Sequence, residues 1–246
     1  MLPYRMIKSL VIGLKDLVYP PICIICRERI PTTHPYKGLC LSCSQRIELI
    51  VPPFCVKCFR PLNAANSGPT CKNCIEHAMH FDFAYCACPF SPFLRQLLHL
   101  FKFHQKTYLR HIFTEHILRF IQEYNLDIDQ FDLFVPMPLS NVRLRERGYN
   151  QSQLIAEILA QHFNKPCSKN VLIKARHTAS QSSLSKKERF TNVQGAFKIN
   201  SSVKIINTNI LIIDDLMTTG ATASEAALVL KAAKAKTVAI LTLAIN

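Results

Sequence analysis

ILIIDDLMTTGAT, residues Ile210–Thr222, decides the fold of this chain. It opens as an unbroken apolar run, the pattern of a parallel strand buried on both faces. Two carboxylates, Asp214 and Asp215, end the run, and Met217, Thr218, Thr219, Gly220, Ala221 and Thr222 follow. The next residues are rich in Ala and Leu and read as a helix. This order places a short loop at the carboxyl end of a strand and at the N-terminus of a helix. Backbone N–H groups converge at such a point, and the helix dipole favours negative charge there. Gly220 lets the backbone approach a ligand closely, and the threonine hydroxyls are further donors. Asp214 and Asp215 would repel an anion. They suit sugar hydroxyls, as acceptors, or a divalent cation. The plain alternative is an ordinary strand followed by a capped helix.

Upstream and downstream, strand and helix patterns alternate. Phe81–Cys88 reads as a strand, and Pro92–Phe103 as a helix with Leu94, Leu97, Leu98 and Phe101 on one face. Leu109–Tyr124 is a second helix and Leu133–Pro136 a short strand. Asn150–Phe163 is a helix, Val171–Lys174 a strand, Asn209–Asp214 a strand, Thr222–Lys234 a helix and Lys236–Ala244 a last strand. The alternation predicts a parallel sheet with helices on both faces.

Two other segments carry charge suited to an anion. VPMPLSNVRLRERGYNQSQLIA joins a strand to a helix, with Pro136 and Pro138 setting a rigid turn. Arg143, Arg145 and Arg147 alternate in it, and alternate spacing in a loop can aim three guanidiniums at one anion; a solvated basic turn is the plain alternative. Asn150 is a natural N-cap for the next helix. The second segment, residues 176–197, is polar and Ser-rich before Lys186, Lys187 and Arg189. It suits a loop closing over a ligand; equally, Ser185 suits a cap for a short helix.

Before residue 76 the composition differs. Eight of the eleven cysteines form four CxxC pairs, Cys23/Cys26, Cys40/Cys43, Cys55/Cys58 and Cys71/Cys74. The pairs are separated by 13 residues in the first half and 12 in the second. A CxxC turn presents two thiolates to a metal, and a second turn completes a tetrahedron. The simplest assignment is two structural zinc ions, one per half, with a crossed pairing of turns left open. A lone CxxC would read as a redox pair; four in register favour zinc. Cys86, Cys88 and Cys167 fit no pair and read as core or incidental residues.

The 246-residue chain carries a net charge of +14 and 49% apolar residues. The latter excludes disorder, and the former favours polyanionic partners, phosphates or nucleic acid. Phe90, Phe93, Phe101, Phe103 and Tyr108 lie among Arg95, Lys102, Lys106 and Arg110, a pattern that serves either core packing or base stacking. No stretch has the length of a membrane span. Met1–Tyr19 reads as an amphipathic helix packing on the body rather than a signal peptide. The organisation expected is an N-terminal helix (1–20), a double zinc ribbon (21–76) and an α/β domain (77–246), in a reducing cytoplasm.

The Asp214–Thr222 motif closely resembles the phosphoribosyl pyrophosphate (PRPP) motif of type I phosphoribosyltransferases. The resemblance implies that Asp214 and Asp215 face ribose hydroxyls, that Met217–Thr222 wraps the 5-phosphate, and that magnesium rides on the pyrophosphate. The wider order is more specific. The CxxC module is followed by LLHLFKFH, PMP…RERGYNQ, Gln181–Phe197 and DDLMTTGAT. It resembles the ComF family of competence-associated, phosphoribosyltransferase-like proteins from about Tyr19 to Leu243. Pro136, Pro138, Arg147, Gly148, Asn150, Gln181, Leu184, Arg189, Asn192, Ala196 and Phe197 carry the match; Met137, Leu216 and Met217 are small departures. The family implies handling of imported single-stranded DNA in the cytoplasm during natural transformation, with the DNA-uptake machinery as a further partner. An active phosphoribosyltransferase, passing ribose 5-phosphate from PRPP to a base or amine, is the other reading. No residue declares itself an acceptor pocket or a catalytic group.

Overall fold

The apolar run of the phosphate-type motif becomes an interior strand because it has parallel neighbours on both sides. The computed structural model describes residues 20–31, 37–63, 68–176 and 186–246. The N-terminal helix expected over 1–20 falls outside the described residues except for Pro20, and so do Gln181, Leu184 and Ser185. In chain order the first elements are two one-turn helices, α1 (Leu41–Ser44) and α2 (Lys72–Glu76). They are followed by β1 (Phe83–Pro89), α3 (Pro92–Phe103), α4 (Leu109–Glu123) and β2 (Leu133–Pro136). Next come α5 (Asn141–Arg147), α6 (Gln151–His162), β3 (Leu172–Lys174) and α7 (Lys186–Val193). The last are β4 (Phe197–Ile199), β5 (Asn209–Met217), α8 (Ala221–Ala232) and β6 (Thr237–Ile245).

Four strands form a parallel sheet in the order β1-β6-β5-β2. The central strands are the most apolar: Ile210–Ile213 and Val238–Leu241 have no exposed surface, as strands covered on both faces require. The chain crosses the sheet from β1 to β2 through α3 and α4, and in the opposite direction from β5 to β6 through α8. Right-handed crossovers therefore put α4 and α8 on opposite faces. α6 packs with α4 and lies against β5 and β2, while α8 lies on β6 together with β4 and α7. The expected parallel sheet with a preceding zinc-ribbon segment is present. β3 and β4 form a separate antiparallel ribbon, of which β4 had no strand expectation.

Local chemistry fixes the helices that border the sheet's carboxyl end. Ser91 caps α3 by accepting the N–H of Leu94 at 3.1 Å, with Pro92 at the first helical position. Leu94, Leu97, Leu98 and Phe101 are its buried face. Asn150 caps α6, its side-chain oxygen accepting from Ser152 and Gln153. Its amide donates to the carbonyl of Met137 at 3.0 Å, which ties the helix start to the end of β2. No helix among the described residues is long and apolar enough to cross a membrane.

By internal contacts the chain divides into two compact units, with the division between Ile47 and Glu48. Each contains one four-cysteine cluster, and the two clusters repeat the same local construction. Cys23–Cys26 and Cys55–Cys58 are knuckles followed by a left-handed residue, Arg27 (φ 66°) and Phe59 (φ 58°). The knuckle amides of Cys23 and Cys55 donate to Glu28 and Arg60 carbonyls, both at 2.8 Å. The second pair of each cluster begins a one-turn helix, with Cys40 and Cys71 at the N-cap positions.

Candidate functional site and metal centres

The four thiol sulfurs of Cys23, Cys26, Cys40 and Cys43 lie within 4.8 Å of one another, as do those of Cys55, Cys58, Cys71 and Cys74. Tetrahedral zinc with Zn–S bonds of about 2.3 Å needs sulfurs about 3.8 Å apart. Cys26 and Cys40 are at 3.5 Å and Cys58 and Cys71 at 3.6 Å. The donor sets thus fit two structural zinc ions, one per half, with no crossed pairing. Within the first cluster the thiols are unequal. Burial raises Cys23, but backbone N–H groups of Cys40, Cys26 and Ile25 outweigh it and bring the thiol down to about 6. Burial pushes Cys43 up to about 12. Cys86 and Cys88 are fully buried on β1, where burial likewise holds each at about 12. They are core residues.

A cleft of about 570 Å³ opens at the carboxyl ends of β2, β5, β6 and β1, the position where parallel α/β sheets bind ligands. Its floor is the end of β5. That strand runs three residues past the expected end at Asp214, so both aspartates are strand residues and the loop is only Thr218–Gly220. Gly220 has φ 81° and precedes the first residue of α8, a backbone state that costs other residues about 1–2 kcal/mol. Met217, Thr218, Gly220, Ala221 and Thr222 line the cleft. Thr219 is buried, and its hydroxyl accepts the N–H of Ala221 at 3.3 Å, bracing the turn rather than facing the opening.

The two aspartates are held differently. Asp214 Oδ1 accepts from the Ser152 hydroxyl at 2.8 Å and from the N–H of Asp215 at 2.9 Å. Burial first, and the charge of Asp215 second, push its carboxyl up from 3.8 to about 6. Asp215 forms a largely buried ion pair with Lys102 Nζ of α3 at 2.9 Å. Both carboxylates and Lys102 line the cleft.

The cleft is also lined by basic side chains, Arg143, Arg147, Lys174 and Arg189, with Arg95 of α3 among them. Burial, then the positive charge of Arg143, lowers Lys174. Burial also lowers Arg147, against the pull of Asp215. Arg147 is fixed by a 3.0 Å hydrogen bond from Nη1 to Gln151 Oε1 and lies 5.0 Å from the Phe103 ring centroid. The Nε2 of Gln151 is buried in the cleft wall without a hydrogen-bond partner.

One local expectation changes. The arginine segment is not a loop but helix α5, capped by the Ser140 hydroxyl and closed by left-handed Gly148. At 3.6 residues per turn, residues four apart share a face and residues two apart do not. Arg143 and Arg147 therefore reach the cleft together, while Arg145 is not among the lining residues. Lys186 and Lys187 are the first two residues of α7, and Arg189 on the same helix lines the cleft. Lys174, Gln151, Ser152 and the Lys102–Asp215 pairing were not foreseen as site features. The signal available for Lys174 was its place at the end of the apolar strand Val171–Lys174, the same strand-end logic that singled out Asp214. Of the interleaved aromatics, Phe101 is core, Phe103 is exposed, and Phe90 carries Arg95 over its ring at 5.1 Å.

Comparison with known proteins agrees with this organisation. Residues 14–88 match the model of the double zinc ribbon domain. The chain is 28% identical to the DNA utilization protein YhgH of Salmonella typhimurium, over 91% of this chain and 96% of the relative. It is 28% identical to competence protein ComFC of Bacillus subtilis, over 92% and 95%. It is 26% identical to competence protein F of Haemophilus influenzae, over 82% and 87%. The chain is thus similar to competence proteins F and ComFC and to the DNA utilization protein YhgH over most of its length, and its N-terminal part matches the double zinc ribbon.

Proposed function

We propose that this protein binds PRPP with magnesium in the cleft and acts as a competence-type factor that handles imported single-stranded DNA in the cytoplasm. The supporting observation is the division of one cleft into three chemistries. A helix-terminal loop of Thr218–Gly220 suits a phosphate, two carboxylates beside it suit a sugar diol, and the cations Arg143, Arg147, Lys174 and Arg189 of the same cleft suit a pyrophosphate. Asp214 and Asp215 are also the groups beside which a magnesium ion on that pyrophosphate would sit. The DNA role is drawn from the relatives, which are competence proteins and DNA utilization proteins, together with the charge of +14.

Titration calorimetry with PRPP and magnesium tests the ligand. Replacing Asp214 and Asp215 together by Ala should weaken PRPP at least about tenfold, since two charged hydrogen-bonding groups are lost. Unchanged affinity in that variant rejects the site. A second reading, an active phosphoribosyltransferase, is favoured by one feature: the cleft continues past Met217 to Asn246, Phe90 and Arg95, leaving room beside the sugar for an acceptor. Release of pyrophosphate from PRPP in the presence of a panel of bases and amines distinguishes it; none released leaves the binding reading.

A further inference from the structure

The phosphate-type loop does not hold its shape alone. Two of its three carbonyls are gripped by side chains from the second cysteine cluster, within the same compact unit. Arg60 follows the Cys55–Cys58 knuckle, and its own carbonyl accepts the N–H of Cys55 at 2.8 Å, so its backbone is part of the metal-binding turn. Its guanidinium donates through Nη2 to the carbonyl of Thr218 and through Nη1 to that of Asn246. Asn73 sits between Cys71 and Cys74 on α2, and its amide donates to the carbonyl of Thr219 at 2.9 Å. Each clamp is thus one or two residues from a cysteine of the cluster.

The peptide plane turns these bonds into a constraint on the ligand side. In a trans peptide the C=O and the following N–H point in opposite directions. Holding the carbonyls of Thr218 and Thr219 toward the ribbon therefore turns the N–H groups of Thr219 and Gly220 away from it. The segment after the cluster adds to the grip. Met79 and Phe81 lie 3.5 and 3.7 Å from the point where a Cβ on Gly220 would be. The N–H of His80 donates to the Ser224 hydroxyl in the first turn of α8 at 3.0 Å.

We propose that the second cluster is the clamp of the phosphate loop. Arg60 and Asn73 are positioning residues, and zinc held by Cys55, Cys58, Cys71 and Cys74 sets the affinity of the cleft for the 5-phosphate end of its ligand. A metal that fixes the knuckle and α2 fixes the origin of both side chains. Without it the loop amides lose their preset direction and the phosphate must order them on binding, which lowers affinity. This rests on the reading of Thr218–Thr222 as a phosphate site.

The test uses the full chain and two probes, ribose 5-phosphate for the loop and magnesium pyrophosphate for the basic side chains, each by calorimetry. Arg60→Ala and Asn73→Ala should each weaken ribose 5-phosphate about tenfold and leave magnesium pyrophosphate within about twofold. In hydrogen exchange, the amides of Thr219–Thr222 should exchange faster in both variants and in protein stripped of zinc. Asn73 is half-buried on a one-turn helix, so its variant remains informative if Arg60→Ala does not fold. Zinc-replete variants that bind ribose 5-phosphate like the parent overturn the clamp, and so does an equal loss for both probes, which marks general damage. If the parent binds neither ribose 5-phosphate nor PRPP, the phosphate-site reading itself fails, and the clamp with it.

Discussion

The neighbouring aspartates show how one residue's setting decides its chemistry. Asp215 is neutralised by Lys102, whereas Asp214 has only hydroxyl and backbone donors, so burial and its neighbour's charge raise it to about 6. A carboxyl raised from 3.8 to about 6 takes up a proton on folding between those values. Its contribution to stability is complete below about 3.8 and is lost as pH rises through about 6. Asp214→Asn, which keeps an oxygen to accept from Ser152, should therefore raise Tm by a few °C at pH 7.5, in line with about 2–4 °C per kcal/mol for a chain of this size. The gain should shrink toward zero near pH 4. Thermal melts at both values check this; an equal shift at the two pH values removes the titration argument. At this scale much was legible. The aspartates and the eight cysteines declare themselves through local sequence, because their partners are neighbours or repeats of the same motif. Lys102 did not, since its role depends on a carboxylate that only the packing of α3 beside β5 brings to it.

At the scale of elements, the strands and long helices follow from apolar periodicity, which is why β2 and α3 have their expected bounds. Helix α5 was not legible. Its apolar residues, Val142 and Leu144, are both substantially exposed, so no buried stripe marks it. Its ends form it instead: the Ser140 cap and Gly148 at φ 78°, whose N–H donates to the Leu144 carbonyl at 2.9 Å. Nothing lies within 4 Å of a Cβ added at Gly148, so substitution there tests backbone conformation alone. Gly148→Ala should cost about 1 kcal/mol, and Gly148→Asn less, because Asn tolerates the left-handed region. Because Gly148 sets the exit of α5 just after Arg147, Gly148→Ala should also weaken magnesium pyrophosphate more than ribose 5-phosphate. Denaturation curves and the two-probe calorimetry read both effects. Equal stability of the Ala and Asn variants would show that α5 is held by something other than this cap.

For the whole molecule, the charge of +14 matters through where it collects. Five cations of the cleft, Arg95, Arg143, Arg147, Lys174 and Arg189, face a ligand space whose only carboxylates are Asp214 and Asp215, among the described residues. Lys102 is already paired. A single strand of DNA laid along those five cations would offer them phosphates at the same places as a pyrophosphate. Five phosphate contacts on single-stranded DNA predict a slope of log K against log salt of about −3.5. Three outcomes follow if the cleft is the binding surface. A short oligothymidylate should bind at low salt with that slope, and saturating magnesium-PRPP should compete with it. Replacing Arg143 and Arg147 together by Ala should flatten the slope by about 1.4, two contacts' worth. Fluorescence anisotropy over a salt series measures all three. A steep slope that PRPP and the double variant leave unchanged would move DNA binding off the cleft and onto other basic surface. No binding even at low salt would remove DNA from the functional reading, and leave PRPP binding as the remaining proposal for the cleft.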